Sequence, residues 1–94
     1  MATLLHAGRF WTESVVTTSR AALQVSQEDR FVGFVRHIQG DWGDIAPFDW
    51  QANDDALEYG GRLFSRYRAT QGTVFLIITE RDRSVTTILL PEDY

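Results

Sequence analysis

Residues 62–90 read RLFSRYRATQGTVFLIITERDRSVTTILL, and this stretch decides the fold. Leu63, Ser65 and Tyr67 alternate with Phe64, Arg66 and Arg68, a period of two that belongs to a strand with one face toward a core. Gln71-Gly72 supplies a hairpin turn, since glycine takes the backbone angles that a tight reversal needs. Thr73 to Thr79 (TVFLIIT) is β-branched and apolar on both faces, as a central strand should be. After Arg81-Asp82-Arg83-Ser84, Val85 to Leu90 (VTTILL) makes a third strand, closed by Pro91. Connections this short join antiparallel neighbours, so a three-stranded antiparallel β-meander is expected at the C-terminus.

Upstream the period lengthens to that of helices. Thr18 or Ser19 is placed to cap a short helix through Val25, and Ser26 with Asp29 has capping-box spacing for a longer one. Phe31, Phe34, Val35 and Ile38 then fall on one helical face, and Gly40 stands where that helix stops. Asp41-Trp42-Gly43-Asp44 reads as a tight turn, and Pro47 suits the first turn of a third helix ending at Gly60-Gly61. In that helix Phe48, Ala52, Ala56 and Tyr59 form one stripe, Trp50, Asn53 and Leu57 an adjacent one, and Asp54 and Asp55 face water. Ser14 to Thr18 (SVVTT) is a short extended segment or the lead into a helix, and Met1 to Glu13 shows no clear period. The fold class is therefore α+β, with short helices packed on one face of the meander.

The 94 residues, without internal repeat or linker, suit a single domain spanning residues 1–94. A chain of this size buries roughly 60–65% of its unfolded surface, which leaves a modest stability margin. There is no cysteine, hence no disulfide and no thiolate ligand, a composition suited to a reducing cytoplasm. The longest apolar runs, Phe75 to Ile78 and Ile88 to Leu90, are far too short to span a membrane, and the N-terminus lacks a basic region followed by an apolar stretch.

Net charge is −4, which disfavours direct nucleic-acid binding or attachment to an anionic membrane. All nine basic residues are arginines, and the charge is unevenly distributed. Asp41, Asp44, Asp49, Asp54, Asp55 and Glu58 occupy one stretch with no basic residue. Arg62, Arg66, Arg68, Arg81 and Arg83 dominate the next, against only Glu80 and Asp82. The acidic stretch reads either as a solvated helix face with capping aspartates or as a surface that imitates nucleic-acid charge on a basic partner, with Trp42 or Trp50 as anchor. The arginines read either as cross-paired edge charges or as a secondary patch able to grip phosphate. His37 with Asp41, Asp44, Glu80 and Asp82 brings imidazole and carboxylates together, but the spacing fits no metal motif, and a histidine in a last helical turn is favoured there by the helix dipole. Ser65 and Ser84 lack the surroundings of a hydrolase nucleophile, and Gly60-Gly61 is no phosphate loop. No catalytic residue, metal site or cofactor is expected.

The pattern His37-x2-Gly-Asp-Trp-Gly-Asp44, Asn53-x2-Ala-Leu57, Gly61-Arg62-x2-Ser65-x-Tyr67, Gly72-Thr73 and Ile77-Ile-Thr-Glu-x-Asp-Arg-Ser-x-Thr-Thr-x-Leu-Leu-Pro91 through Tyr94 resembles a family of small bacterial proteins found on plasmids and other mobile elements. Some of these carry names such as plasmid-related protein or restriction-methylation subunit. The resemblance covers His37 to Tyr94 and departs at Leu76, where a tryptophan would be expected. It brings no activity to transfer. What it implies is a setting in which small acidic proteins bind host machinery, as anti-CRISPR proteins do by analogy.

Three functional readings follow. The first is a non-enzymatic inhibitor docking on a host protein or nucleoprotein complex through Asp41, Trp42, Asp44, Asp49, Asp54, Asp55 and Glu58. The second is a small nuclease-like enzyme with His37, Asp41, Glu80 and Arg62 in one pocket. The third is a regulator touching nucleic acid through the arginines. A small homo-oligomer is compatible with all three.

Overall fold

The computed structural model describes residues 8–94. The reading of the N-terminus as free of a leader segment concerns residues that lie partly outside the described ones. The element order is β1 (Ser14–Thr17), α1 (Ser19–Gln24), α2 (Gln27–Ile38), α3 (Pro47–Tyr59), β2 (Leu63–Arg68), β3 (Val74–Thr79) and β4 (Val85–Leu89), closed by a 3-10 turn at Pro91–Asp93. The class is α+β.

Three strands form the antiparallel run expected, with Leu63 opposite Thr79 and Ile77 opposite Ile88. The sheet nevertheless has four strands, in the order β1-β4-β3-β2, because Ser14–Thr17 pairs parallel to β4 with Val15 beside Thr86. A three-stranded sheet is thus corrected to a mixed four-stranded one. The added strand draws its hydrogen bonds from a segment at the far end of the sequence, a pairing that no local pattern announces.

Side chains at alternate positions face the helices. Tyr67, Phe75, Ile77 and Ile88 form the main core with Ala21 and Val25 of the α1 region, and Phe34 packs against it. The caps fall as the residue types require: the Thr18 hydroxyl accepts from the Ala21 N–H at 3.2 Å and the Ser26 hydroxyl from the Asp29 N–H at 3.1 Å.

Both longer helices are rotated from the expected orientation. In α2 the buried positions are Gly33, His37 and Ile38, whereas Phe31 is 52% exposed. Gly33 lies so close to the sheet that a Cβ there would meet the Phe75 ring at 2.8 Å. This close approach brings Gly33 and His37 onto the sheet; of the expected stripe Ile38 and Phe34 still face inward, while Phe31 is left outside. In α3, Asn53 and Ala56 face inward, with Trp50 and Leu57 packed beside the cluster of Trp42, Ala56 and Leu63. The stripe of Phe48, Ala52 and Tyr59 is left outside, and of that row only Ala56 is buried.

The opposite face of the sheet carries a smaller cluster, Leu76, Ile78 and Leu89, with Phe64 beside it. The chain turns under this face: Pro91–Asp93 packs on β3, and the Tyr94 ring lies 6.4 Å from that of Phe64. Asp93 fastens the turn by accepting from the Thr18 hydroxyl at 2.7 Å and pairing with Arg20. No helix among the described residues is long and apolar enough to cross a membrane.

Candidate functional site

His37 is fully buried. Its Nδ1 lies 2.6 Å from the Ser65 hydroxyl and its Nε2 2.8 Å from that of Thr79. From Thr79 the chain of contacts runs to Thr86 at 2.7 Å, to Thr12 at 2.9 Å and to the Ser14 carbonyl at 3.4 Å. A carbonyl only accepts, so each hydroxyl in turn donates toward Ser14, Nε2 carries the proton and Nδ1 accepts from Ser65. Phe10 and Trp42 stand edge-on to the imidazole, each with centroids 5.5 Å away. Burial, with the Arg83 charge adding to it, holds the imidazole pKa down to about 3 from 6.5. His37 is therefore a neutral, fully satisfied core group.

The carboxylates expected beside it point elsewhere. Asp41 is gripped by Arg36 through Nε at 2.8 Å and Nη2 at 3.2 Å, and that guanidinium holds its carboxyl below the usual range. Glu80 lies at the end of β3, 3.8 Å from Arg62. His37, Asp41, Glu80 and Arg62 thus do not share a pocket, and no group of three acidic or histidine residues that could hold a metal occurs among the described residues.

The arginines do not gather either. Because Leu63 pairs with Thr79 and Arg68 with Val74, Arg62 sits near the β3–β4 turn, while Arg66 and Arg68 approach the other end of the sheet. Arg66 pairs with Asp44 at 3.0 Å, and Arg68 donates to the Gly72 carbonyl at 3.2 Å within its own hairpin. Arg83, at a positive φ of 64°, turns inward and donates to the carbonyls of Gly61 at 2.6 Å and Ala56 at 3.0 Å, closing the end of α3. Arg81 remains exposed on the turn.

Within the acidic stretch the largest correction is Trp42, which is 0% exposed and so cannot be the anchor expected of it. Its indole N–H donates to Asp54 at 3.0 Å, turning Asp54 inward where water contact was expected. Trp50 is half-buried against the same cluster. Asp41, Asp44 and Asp54 therefore serve the fold. Asp49, Asp55 and Glu58 stay exposed on α3 without a basic partner among the described residues.

The same face of α3 carries two aromatics that the sequence reading placed inside: Phe48 is 81% exposed and Tyr59 78% exposed. They lie with Ala52 and Asp55 on a row spaced by four, three and four residues, one continuous side of the helix. The outcome is an aromatic at each end with the Asp55 carboxylate between, flanked on either side by Asp49 and Glu58. The missed signal was the neighbouring stripe: Asn53 is needed on the inner side because its amide serves both the N–H and the C=O of Phe64, at 3.1 and 2.6 Å.

No family model, curated protein or solved structure matches this chain.

Proposed function

We propose that the chain is a non-enzymatic protein-binding factor of a mobile genetic element, an inhibitor of the anti-CRISPR or anti-restriction kind acting in the host cytoplasm. It docks on a basic surface of a host defence complex through the outer side of α3. The observation that carries this reading is the exposure of Phe48 and Tyr59 at either end of Asp49, Asp55 and Glu58. Two large aromatics held out by a packed helix offer rigid anchors, and Asp55 between them, with Asp49 and Glu58 on the flanks, supplies the potential that attracts a phosphate-binding groove. The resemblance to plasmid-borne proteins supports the setting. The seclusion of His37 and the dispersal of the arginines favour this reading over the enzyme and the nucleic-acid regulator.

The test is protection of a targeted plasmid in cells that carry a CRISPR or restriction system, followed by capture of the complex. Phe48→Ser with Asp55→Arg and Glu58→Arg should abolish both protection and capture, while Arg66→Glu with Arg68→Glu should leave both near wild type. Capture should also slow as salt rises, because the Debye length is already only about 8 Å at physiological strength. If the altered α3 protects as well as the native one, the reading fails.

A further inference from the structure

The outer side of β1 is another surface on which strong groups are left without partners among the described residues. Ser14 and Thr18 donate their N–H groups toward the β4 side, to the carbonyls of Ser84, just before the strand, at 3.1 Å and of Ile88 within it at 3.0 Å. Alternation along a strand then turns the N–H and C=O of Val15 and Thr17 outward. No strand among the described residues lies on that side. Ser14–Thr17 carries neither charge nor proline, the usual devices that keep an edge from pairing.

Above this edge runs a groove of about 500 Å³ with Val15 and Ile88 at its floor and Phe31 and Phe34 on its wall. Val15 is 47% exposed and Phe31 52%. Glu28 and Arg30 also line it, and neither forms an ion pair among the described residues.

We propose that a second copy of this chain occupies the edge, its β1 running antiparallel to the first across a two-fold axis. Three features choose this occupant. A two-fold that crosses the sheet keeps both sets of helices on one side, so the open groove of each copy is walled by the α2 helix of the other, and Phe31 is covered in both. An isologous contact presents every residue twice, so opposite charges on one rim are complementary to themselves: Glu28 of each copy meets Arg30 of the other. Centred near Val15, the antiparallel register sets Glu13 against Thr17 of the second copy, so like charges do not face each other.

Sedimentation velocity of the intact chain, followed by amide exchange resolved by residue, tests this. The mass should rise from 10.8 kDa toward twice that value with concentration. The Val15 and Thr17 amides should gain at least tenfold protection over the same range, while that of Val16, already bonded within the fold, should not change. Glu28→Arg should weaken association at least tenfold, and adding Arg30→Glu to it should restore the dimer. Because Arg30 also donates to the Val25 carbonyl, Val15→Lys provides a second disruption that leaves that bond in place. A chain that stays monomeric to about 1 mM, the limit of a weak specific contact, overturns the proposal. So does a dimer in which Val15 and Thr17 exchange as they do in the monomer.

Discussion

The two edges of the sheet are finished in opposite ways. Along β2, the segment at Trp42–Asp44 lies against the strand, with Arg66 N–H donating to the Trp42 carbonyl at 3.2 Å and Asp44 N–H to the Arg66 carbonyl at 2.7 Å. Further along, Asn53 continues the cover by bonding both backbone groups of Phe64. A loop and one side chain thus do the work of a fifth strand. Along β1 nothing comparable occurs among the described residues. A change on the closed edge strands backbone groups inside the protein, whereas a change on the open edge only alters what water meets.

This contrast predicts a ladder of effects. The largest belongs to Gly43→Ala, because Gly43 has φ +79° and a Cβ there would fall inside contact distance of the Arg66 carbonyl and the Tyr67 ring. Backbone strain and overpacking together should cost about 4 kcal/mol. A urea midpoint equal to wild type would show that the loop does not seal β2. Next is Asn53→Ala, which leaves a buried N–H and C=O unanswered and should cost about 3 kcal/mol in the same assay.

Third comes acid, acting on the network that crosses the sheet from Ser65 on β2 to Ser14 on β1. The unfolded imidazole takes a proton below pH 6.5, while the folded one refuses it until about 3. The unfolded state therefore binds more protons in that window, and stability is full above it and falls as pH drops. Between pH 7 and pH 5 the loss should be about 2 kcal/mol, at a limiting slope of roughly 1.4 kcal/mol per pH unit. Denaturant melts over this range should show that slope, and His37→Gln should remove it. Smallest is Val15→Lys on the open edge. In dilute monomer it should cost about 1 kcal/mol or less, and a loss comparable with that of Asn53→Ala would mean that the two edges are not different in kind.

The sequence made the three C-terminal strands legible, since Leu63, Ser65 and Tyr67 alternate and Thr73 to Thr79 is apolar throughout. Helix limits were legible too, through Ser26, Pro47 and the glycines that follow α2 and α3. Helix rotation was not. Apolar counting favoured Phe31 and Phe48 as inward residues, but the contacts are set by Gly33, which gives room, and by His37 and Asn53, whose polar atoms have specific partners on the sheet. A hint was present in Ser65, Thr79 and Thr86, small hydroxyl residues at core-facing strand positions that call for a buried polar partner. The exposed side of α3 was half legible. Asp49, Asp55 and Glu58 were named, but Trp42 was taken for an anchor because nothing local reveals that Asp54 receives its indole proton. Phe48 and Tyr59 were missed because an exposed aromatic looks like a core residue in any one-dimensional pattern.

The parallel pairing of β1 with β4 also bears on how the chain comes into being. During synthesis Ser14–Thr17 emerges early, yet the strand that receives it is the last of the four. Until Val85–Leu89 leaves the ribosome, β1 and β3 lack the strand that lies between them, and the side chains that Ile88 covers stay wet. Closure is therefore late and joins distant parts of the chain at once, a non-local step that slows folding. Pulse labelling during refolding should find the amides of Val16 and Thr18 among the last to be protected.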